Sequence, residues 1–115
     1  MANLEQLLAK KCLPCEGGVE PCSLDQATSQ LAELPEWKVS ENGKWISRKL
    51  TFKNFVETVE CLNQIGRLAE EEQHHPDLHV TGYRHLTVEL TTHAIDGLSE
   101  NDFILAAKID QLLGA

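Results

Sequence analysis

The sequence predicts an α+β domain, a four-stranded antiparallel sheet with helices packed on one face, in the order α-β-β-α-β-β-α. Three observations predict it. Helix-start signals recur at Ser23, Asn54 and Ser99, each ahead of apolar residues at helical spacing. Between them lie two pairs of strand-like runs, punctuated at Asn42-Gly43 and Thr81-Gly82. The chain has 115 residues, enough for one core and too few for two.

Residues 1–22 read as a partly flexible leader, with a short helical possibility at Leu4, Leu7 and Leu8. The Pro- and Gly-rich stretch from Cys12 to Pro21 is expected to hold little fixed structure. The domain itself is expected over residues 23–115. Ser23 and Gln26 form a capping box, and Leu24, Ala27, Leu31 and Leu34 carry a helix to Pro35.

Trp37–Ser40 and Trp45–Phe52 then flank Glu41-Asn42-Gly43-Lys44, a hairpin signal because both Asn42 and Gly43 tolerate positive φ. Asn54 and Glu57 open the next helix, whose expected apolar stripe is Phe55, Val59, Leu62, Ile65 or Gly66, and Ala69. Pro76 disfavours helical geometry at His75, so this helix ends near Gln73. Leu78–Val80 reads as a short strand and Tyr83–Thr91 as a long one. In the latter, Leu86, Val88 and Leu90, with Arg84 near its start, take the buried face, while His85, Thr87, Glu89 and Thr91 take the wet face. Asp96-Gly97 is a turn, and Ser99 caps a last helix carrying Phe103, Ala106, Ala107, Ile109 and Leu113.

Composition narrows the function classes. Hydrophobic content of 42% with 24% charged residues suits a soluble domain, and no stretch approaches the roughly 18 apolar residues of a membrane span. Met1–Glu5 lacks a secretory pattern, so a cytoplasmic location is expected. A formal net charge of -8 argues against direct nucleic-acid binding. The one basic cluster, Lys44, Arg48, Lys49 and Lys53, reads as the solvated face of a strand. Cys12 and Cys15 make a single CxxC, whereas structural zinc usually wants two such pairs. With Cys22 they read as reduced thiols of the leader, and Cys61 as a small core filler.

The chemistry concentrates in histidines. His74-His75-Pro76 closes a helix and is answered by His93 at the far end of a strand-like run. Histidine can give or take a proton near neutral pH without special preparation, so three of them near one loop can serve as acid and base. Other readings of these residues stay open. His74-His75 with His79 or His93 is a possible metal set. Glu70 fits a solvated run with Glu71 and Glu72, and Asp102, three positions after Ser99, fits a helix-start carboxylate. His79 and His85 read as exposed strand residues.

Glu70, His74-His75-Pro76, Tyr83, His93 and Asp102 at these offsets, with the segments Glu89–His93 and Gly97–Phe103, resemble the signature of the pterin-4a-carbinolamine dehydratases. The resemblance runs from about Ser23 onward, and the family's architecture is the one predicted above. It implies a hydro-lyase that removes water from a 4a-hydroxytetrahydropterin to give the quinonoid dihydropterin, recycling the pterin of aromatic amino acid hydroxylases. The pterin is then the substrate, and no cofactor or metal is implied.

Carried over by position, His74, His75 and His93 are the active-site histidines, with Glu70 and Asp102 as supporting or substrate-binding acids. His74 and His93 are expected to transfer protons and His75 chiefly to bind substrate. The resemblance also implies a homodimer or homotetramer. Animal members double as dimerisation cofactors of a homeodomain transcription factor, so an interaction or assembly protein of the same fold is the competing reading. Leu78 stands where animal members usually carry a tryptophan, and the stretch from Pro76 to Tyr83 is one residue longer than theirs. The chain looks more like bacterial or plastid members.

Overall fold

The computed structural model describes residues 2–13 and 20–114. Pro14, Cys15, Gly17 and Gly18, on which part of the leader reading falls, lie outside the described residues. The elements are α1 (Leu4–Ala9), α2 (Leu24–Leu31), β1 (Lys38–Val39), β2 (Ile46–Thr51), α3 (Phe55–Glu72), β3 (Asp77–Thr81), β4 (His85–Leu90), a 3-10 turn (His93–Ile95) and α4 (Glu100–Leu112). The strands form one antiparallel sheet in the order β1-β2-β4-β3. This is the α+β architecture expected, with α1 added at the front.

Register decides the two faces of the sheet. Ile46 faces Leu90, Arg48 faces Val88 and Leu50 faces Leu86, while Leu78 and Val80 of β3 pair with Val88 and Leu86. Side chains alternate along a strand, so these residues share the inner face, where Ile46, Leu86, Val88 and Leu90 are completely buried. The helices cover that face, and Phe103, Leu105, Ala106 and Ile109 of α4 complete the core.

Arg48 corrects the reading of a solvated basic face. It points inward with its side chain 13% exposed and pairs with Asp110 of α4, which also accepts from Trp37 Nε1 at 2.9 Å. Alternation puts Arg48 and Lys49 on opposite faces, so the basic cluster is split. The planar guanidinium and the indole N–H together satisfy one carboxylate beneath the sheet.

The caps work as the sequence predicts at Ser23 and Asn54, whose side chains accept from the N–H groups of Gln26 and Glu57 at 3.1 and 2.9 Å. Three details differ. In the β1–β2 loop only Gly43 takes positive φ, at 73°. Its N–H closes a turn onto Ser40 O at 2.9 Å, giving a wider loop than a two-residue hairpin. Tyr83 and Arg84 belong to the turn before β4, with Tyr83 at φ 55°, so the strand is shorter than predicted and Arg84 is exposed. The buried stripe of α3 is Thr58, Cys61, Ile65, Ala69 and Glu72, and Phe55 is 54% exposed. Apolar residues lie on two adjacent faces of α3, and only the face toward α4 and β4 is covered.

Helix α1 has six residues, too short to persist alone, and is held by tertiary packing. Leu7 is completely buried beside α4, a contribution of roughly 1.5–3 kcal/mol. Cys12, expected in a stretch of little fixed structure, is also buried, because its backbone and thiol find partners on α3 and α4.

Candidate active site

The end of α3 sets the first histidines. Gln73 adopts the left-handed conformation at φ 53°, and the N–H of His74 returns to Ala69 O at 3.2 Å. This Schellman-type closure ends the helix at Glu72, two positions before His74 and ahead of Pro76, and turns the two histidines out of the helical path. His93 enters differently from its predicted place at the end of a strand. Strand β4 stops at Leu90, and His93 opens the 3-10 turn, steered by the antiparallel bridge between Thr92 and Gly97. Its ring meets Trp45 edge-on, with centroids 5.7 Å apart and an interplanar angle of 79°.

His74, His75 and His93 line one cavity of about 260 Å³, together with Gln73, Thr91, Thr92 and Asn101. Leu13 and Ala94 complete the lining. The two predicted acids divide between two histidines. Asp102 is completely buried, and its Oδ1 lies 2.6 Å from Nε2 of His74, whose side chain is 11% exposed. Glu70 lies at the surface, 3.0 Å from Nε2 of His75, and both of those side chains are more than half exposed.

Asp102 serves two structures at once. Its second oxygen accepts from Ser99 N–H at 2.9 Å, the helix-start bond expected from the sequence, and from Thr92 Oγ1 at 2.8 Å. The supporting and the structural readings of this residue are therefore both present, one on each oxygen. Thr92 had no predicted role. It sits next to His93 and joins the turn carrying that histidine to the carboxylate holding His74. Trp45 was missed too, because nothing in its local pattern tells a strand-edge tryptophan from one that seats a histidine.

His79 and His85 lie on the outer sheet face, away from the cavity. His79 Nε2 is 2.6 Å from Glu89 Oε1, and His85 Nδ1 is 3.0 Å from Thr51 Oγ1. Among the described residues, one trio of potential metal donors brings its ligand atoms within 4.8 Å of one another, Asp77, His79 and Glu89. That trio includes none of the cavity histidines.

Among the described residues, burial disfavours the thiolate form of the cysteines. Burial, reinforced by Glu72, pushes the Cys12 thiol up to about 12, and burial also raises those of Cys22 and Cys61. Glu72 goes the other way. Burial pushes its carboxyl up, but the Cys12 N–H and the Lys108 ammonium outweigh that and hold it below the usual range.

Comparison with known proteins bears on the same region. Residues 20–112 match the family described as pterin 4 alpha carbinolamine dehydratase, a span that contains His74, His75, His93, Glu70 and Asp102. A relative from Nitrosomonas eutropha, provisionally named pterin-4-alpha-carbinolamine dehydratase, is 47% identical over 98% of both chains. One of the same provisional name from Halorhodospira halophila is 44% identical over 92% of this chain and 96% of its own. A crystal structure from Brucella melitensis described as a transcriptional coactivator/pterin dehydratase superposes with a TM-score of 0.74 at 26% identity, covering 81% of this chain and 98% of that one. A pterin dehydratase-like protein described as a RuBisCO assembly factor in the alpha-carboxysome shares the fold, with a TM-score of 0.59 at 22% identity over 70% of this chain and 92% of that one. The chain belongs to the pterin 4 alpha carbinolamine dehydratase family.

Proposed function

We infer that the protein dehydrates 4a-hydroxytetrahydropterins to quinonoid dihydropterins, the step that precedes a separate two-electron reduction back to the tetrahydropterin a hydroxylase uses. The observation that carries this reading is the buried His74–Asp102 pair opening onto a cavity shared with His75 and His93. The reaction needs one proton delivered and one removed. The C4a–O bond breaks as the departing hydroxyl takes a proton and leaves as water. The N5 proton departs to a base as the C4a–N5 double bond forms, so no net electrons are exchanged.

A carboxylate on Nε2 of His74 favours the tautomer with its proton there, leaving Nδ1 as the free acceptor. His74 suits the base and His93 the acid, with the edge of Trp45 limiting how far the His93 ring can turn. His75, exposed and paired with Glu70 at the rim, suits substrate binding. General acid–base help of this kind is typically worth about 10²- to 10⁴-fold. The chemistry asks for proton transfer alone, so a metal or redox cofactor is not part of the proposal.

A direct dehydration assay on purified, chelator-treated protein tests it. Catalysed loss of water from a 4a-hydroxytetrahydropterin is expected. A rate equal to the spontaneous one would end the reading and leave the second, an interaction or assembly role. That role is favoured by the coactivator description of the Brucella melitensis structure and by the exposed apolar pair Phe55 and Val56 on α3.

A further inference from the structure

One wall of the cavity comes from the leader, ahead of residues 20–112. That span starts at residue 20, yet Leu13 lines the cavity and is its one large apolar side chain among the described residues. The rest of the lining is polar apart from Ala94. Leu13 is 72% exposed, but its backbone is tied at both polar atoms. Its N–H donates to Asn101 Oδ1 at 3.0 Å, and its carbonyl accepts from Asn101 Nδ2 at 2.6 Å.

The residue before it is anchored as firmly. Cys12 N–H donates to Glu72 Oε1 at 2.9 Å, and Glu72 Oε2 accepts from Lys108 Nζ at 2.8 Å. The Cys12 thiol lies 3.5 Å from the carbonyl of Asn101. Asn101 is buried and immediately precedes Asp102, so the residue that ties the leader neighbours the one that holds His74. An exposed leucine on a backbone secured at three points is an ordered apolar surface left uncovered. A flat heterocycle in a polar cavity needs such a surface, because its ring face gains from leaving water while its edges keep hydrogen bonds.

We propose that Leu13 is a substrate-contacting specificity residue, an apolar wall for the ring of a bound pterin, and that Asn101 is the residue that positions it. This rests on the dehydratase reading above. The leader therefore completes the site, and affinity for the pterin depends on a segment ahead of residues 20–112.

The test uses the full chain, with Leu13→Ala, Leu13→Met, Asn101→Ala and the double alanine variant. Binding is measured by calorimetry with 7,8-dihydropterin, which has no hydroxyl to lose, and turnover with a 4a-hydroxytetrahydropterin. Leu13→Ala should weaken Kd and raise KM by about 5-fold or more, with kcat within about 2-fold of wild type. Leu13→Met should keep wild-type binding, since volume and apolarity are retained. Asn101→Ala should reproduce the Leu13→Ala loss, and the double variant should be no worse than the poorer single, because the two act through one contact.

Leu13 is exposed, so its variants keep the fold and decide the matter even where Asn101→Ala is unstable. Unchanged Kd and KM in Leu13→Ala, in a protein that turns over normally, would overturn this proposal and leave the dehydratase intact. A wild-type protein that neither binds the pterin nor dehydrates the substrate would overturn the dehydratase reading, and this one with it.

Discussion

Asp102 holds His74 with one carboxylate oxygen and the start of α4 with the other, at 2.6 Å to His74 Nε2 and 2.9 Å to the Ser99 N–H. A buried acid shared in this way couples the site to the fold. The coupling separates two kinds of damage that a single substitution usually mixes.

Asp102→Asn keeps the shape but places an amide against His74 Nε2, where its N–H group can force the other tautomer. A fall in kcat of about 10²- to 10⁴-fold is expected with the fold retained. Asp102→Ala removes the helix-start bond as well and takes one of two partners from the Thr92 hydroxyl, which keeps Ser99 Oγ at 2.7 Å, so it should also cost on the order of 2–4 kcal/mol of stability. Steady-state kinetics beside urea unfolding distinguish the two variants. Equal kcat in Asp102→Asn and wild type would remove Asp102 from the chemistry.

The three histidines should divide kinetically. His74→Ala and His93→Ala should lower kcat much more than they raise KM, since proton transfer is worth most in the transition state. His75→Ala should act mainly on KM. The double loss of His74 and His93 should be smaller than the product of the single losses, because residues serving one step are not additive. Near wild-type kcat in His93→Ala, with circular dichroism confirming the fold, would break the assignment.

A histidine acid working against a histidine base gives a bell-shaped rate profile, with both limbs within about pH 5 to 9. Full activity should survive chelation, with no stoichiometric metal by elemental analysis. A rate flat across that window, or activity lost with a one-to-one metal, would each contradict the proton-transfer reading.

Glu72 makes a separate prediction about stability. Its folded carboxyl titrates below the ordinary 4.5, so it binds fewer protons folded than unfolded. The stabilisation is therefore complete above about 4.5 and is lost as pH falls through the lower folded value. Glu72→Gln should lower Tm near pH 6, and the gap from wild type should narrow as pH drops toward 3. A gap constant over that range would deny the ion pair with Lys108 its role.

Gly97 should tolerate no side chain. A Cβ there would lie 2.6 Å from Cβ of Pro21, while Cys22 N–H is bonded to Leu98 O at 2.8 Å and holds that stretch close. Gly97→Ala should cost about 1–3 kcal/mol by overpacking, read as a lower midpoint in urea unfolding. A midpoint at or above the wild-type value would show that Pro21 moves aside freely.

By itself the sequence determined the elements whose causes are local. Ser23 and Asn54 start helices because a short polar side chain meets a free N–H group three residues on, and α4 starts at Ser99 with the Asp102 carboxylate reaching back to the Ser99 N–H. Pro76 stops α3 because its ring disfavours helical geometry just before it. Alternation in His85–Leu90 sorts the faces of β4 because successive side chains point opposite ways. The set Glu70, His74, His75, His93 and Asp102 was legible as a candidate site through its resemblance to the family's signature, while the residues by themselves pointed only to the three histidines.

Only the tertiary structure decided which partner each residue received. Arg48 lies under the sheet because Asp110, 62 residues later, awaits it there. Cys12 and Leu13 are held because Glu72 and Asn101 satisfy their backbone groups across 60 and 88 residues. Asp102 went to His74 and Glu70 to His75 because α3 and α4 meet at one end of the sheet and leave one acid inside and the other in water. Such pairings depend on where distant elements come to rest, and local pattern holds no record of that.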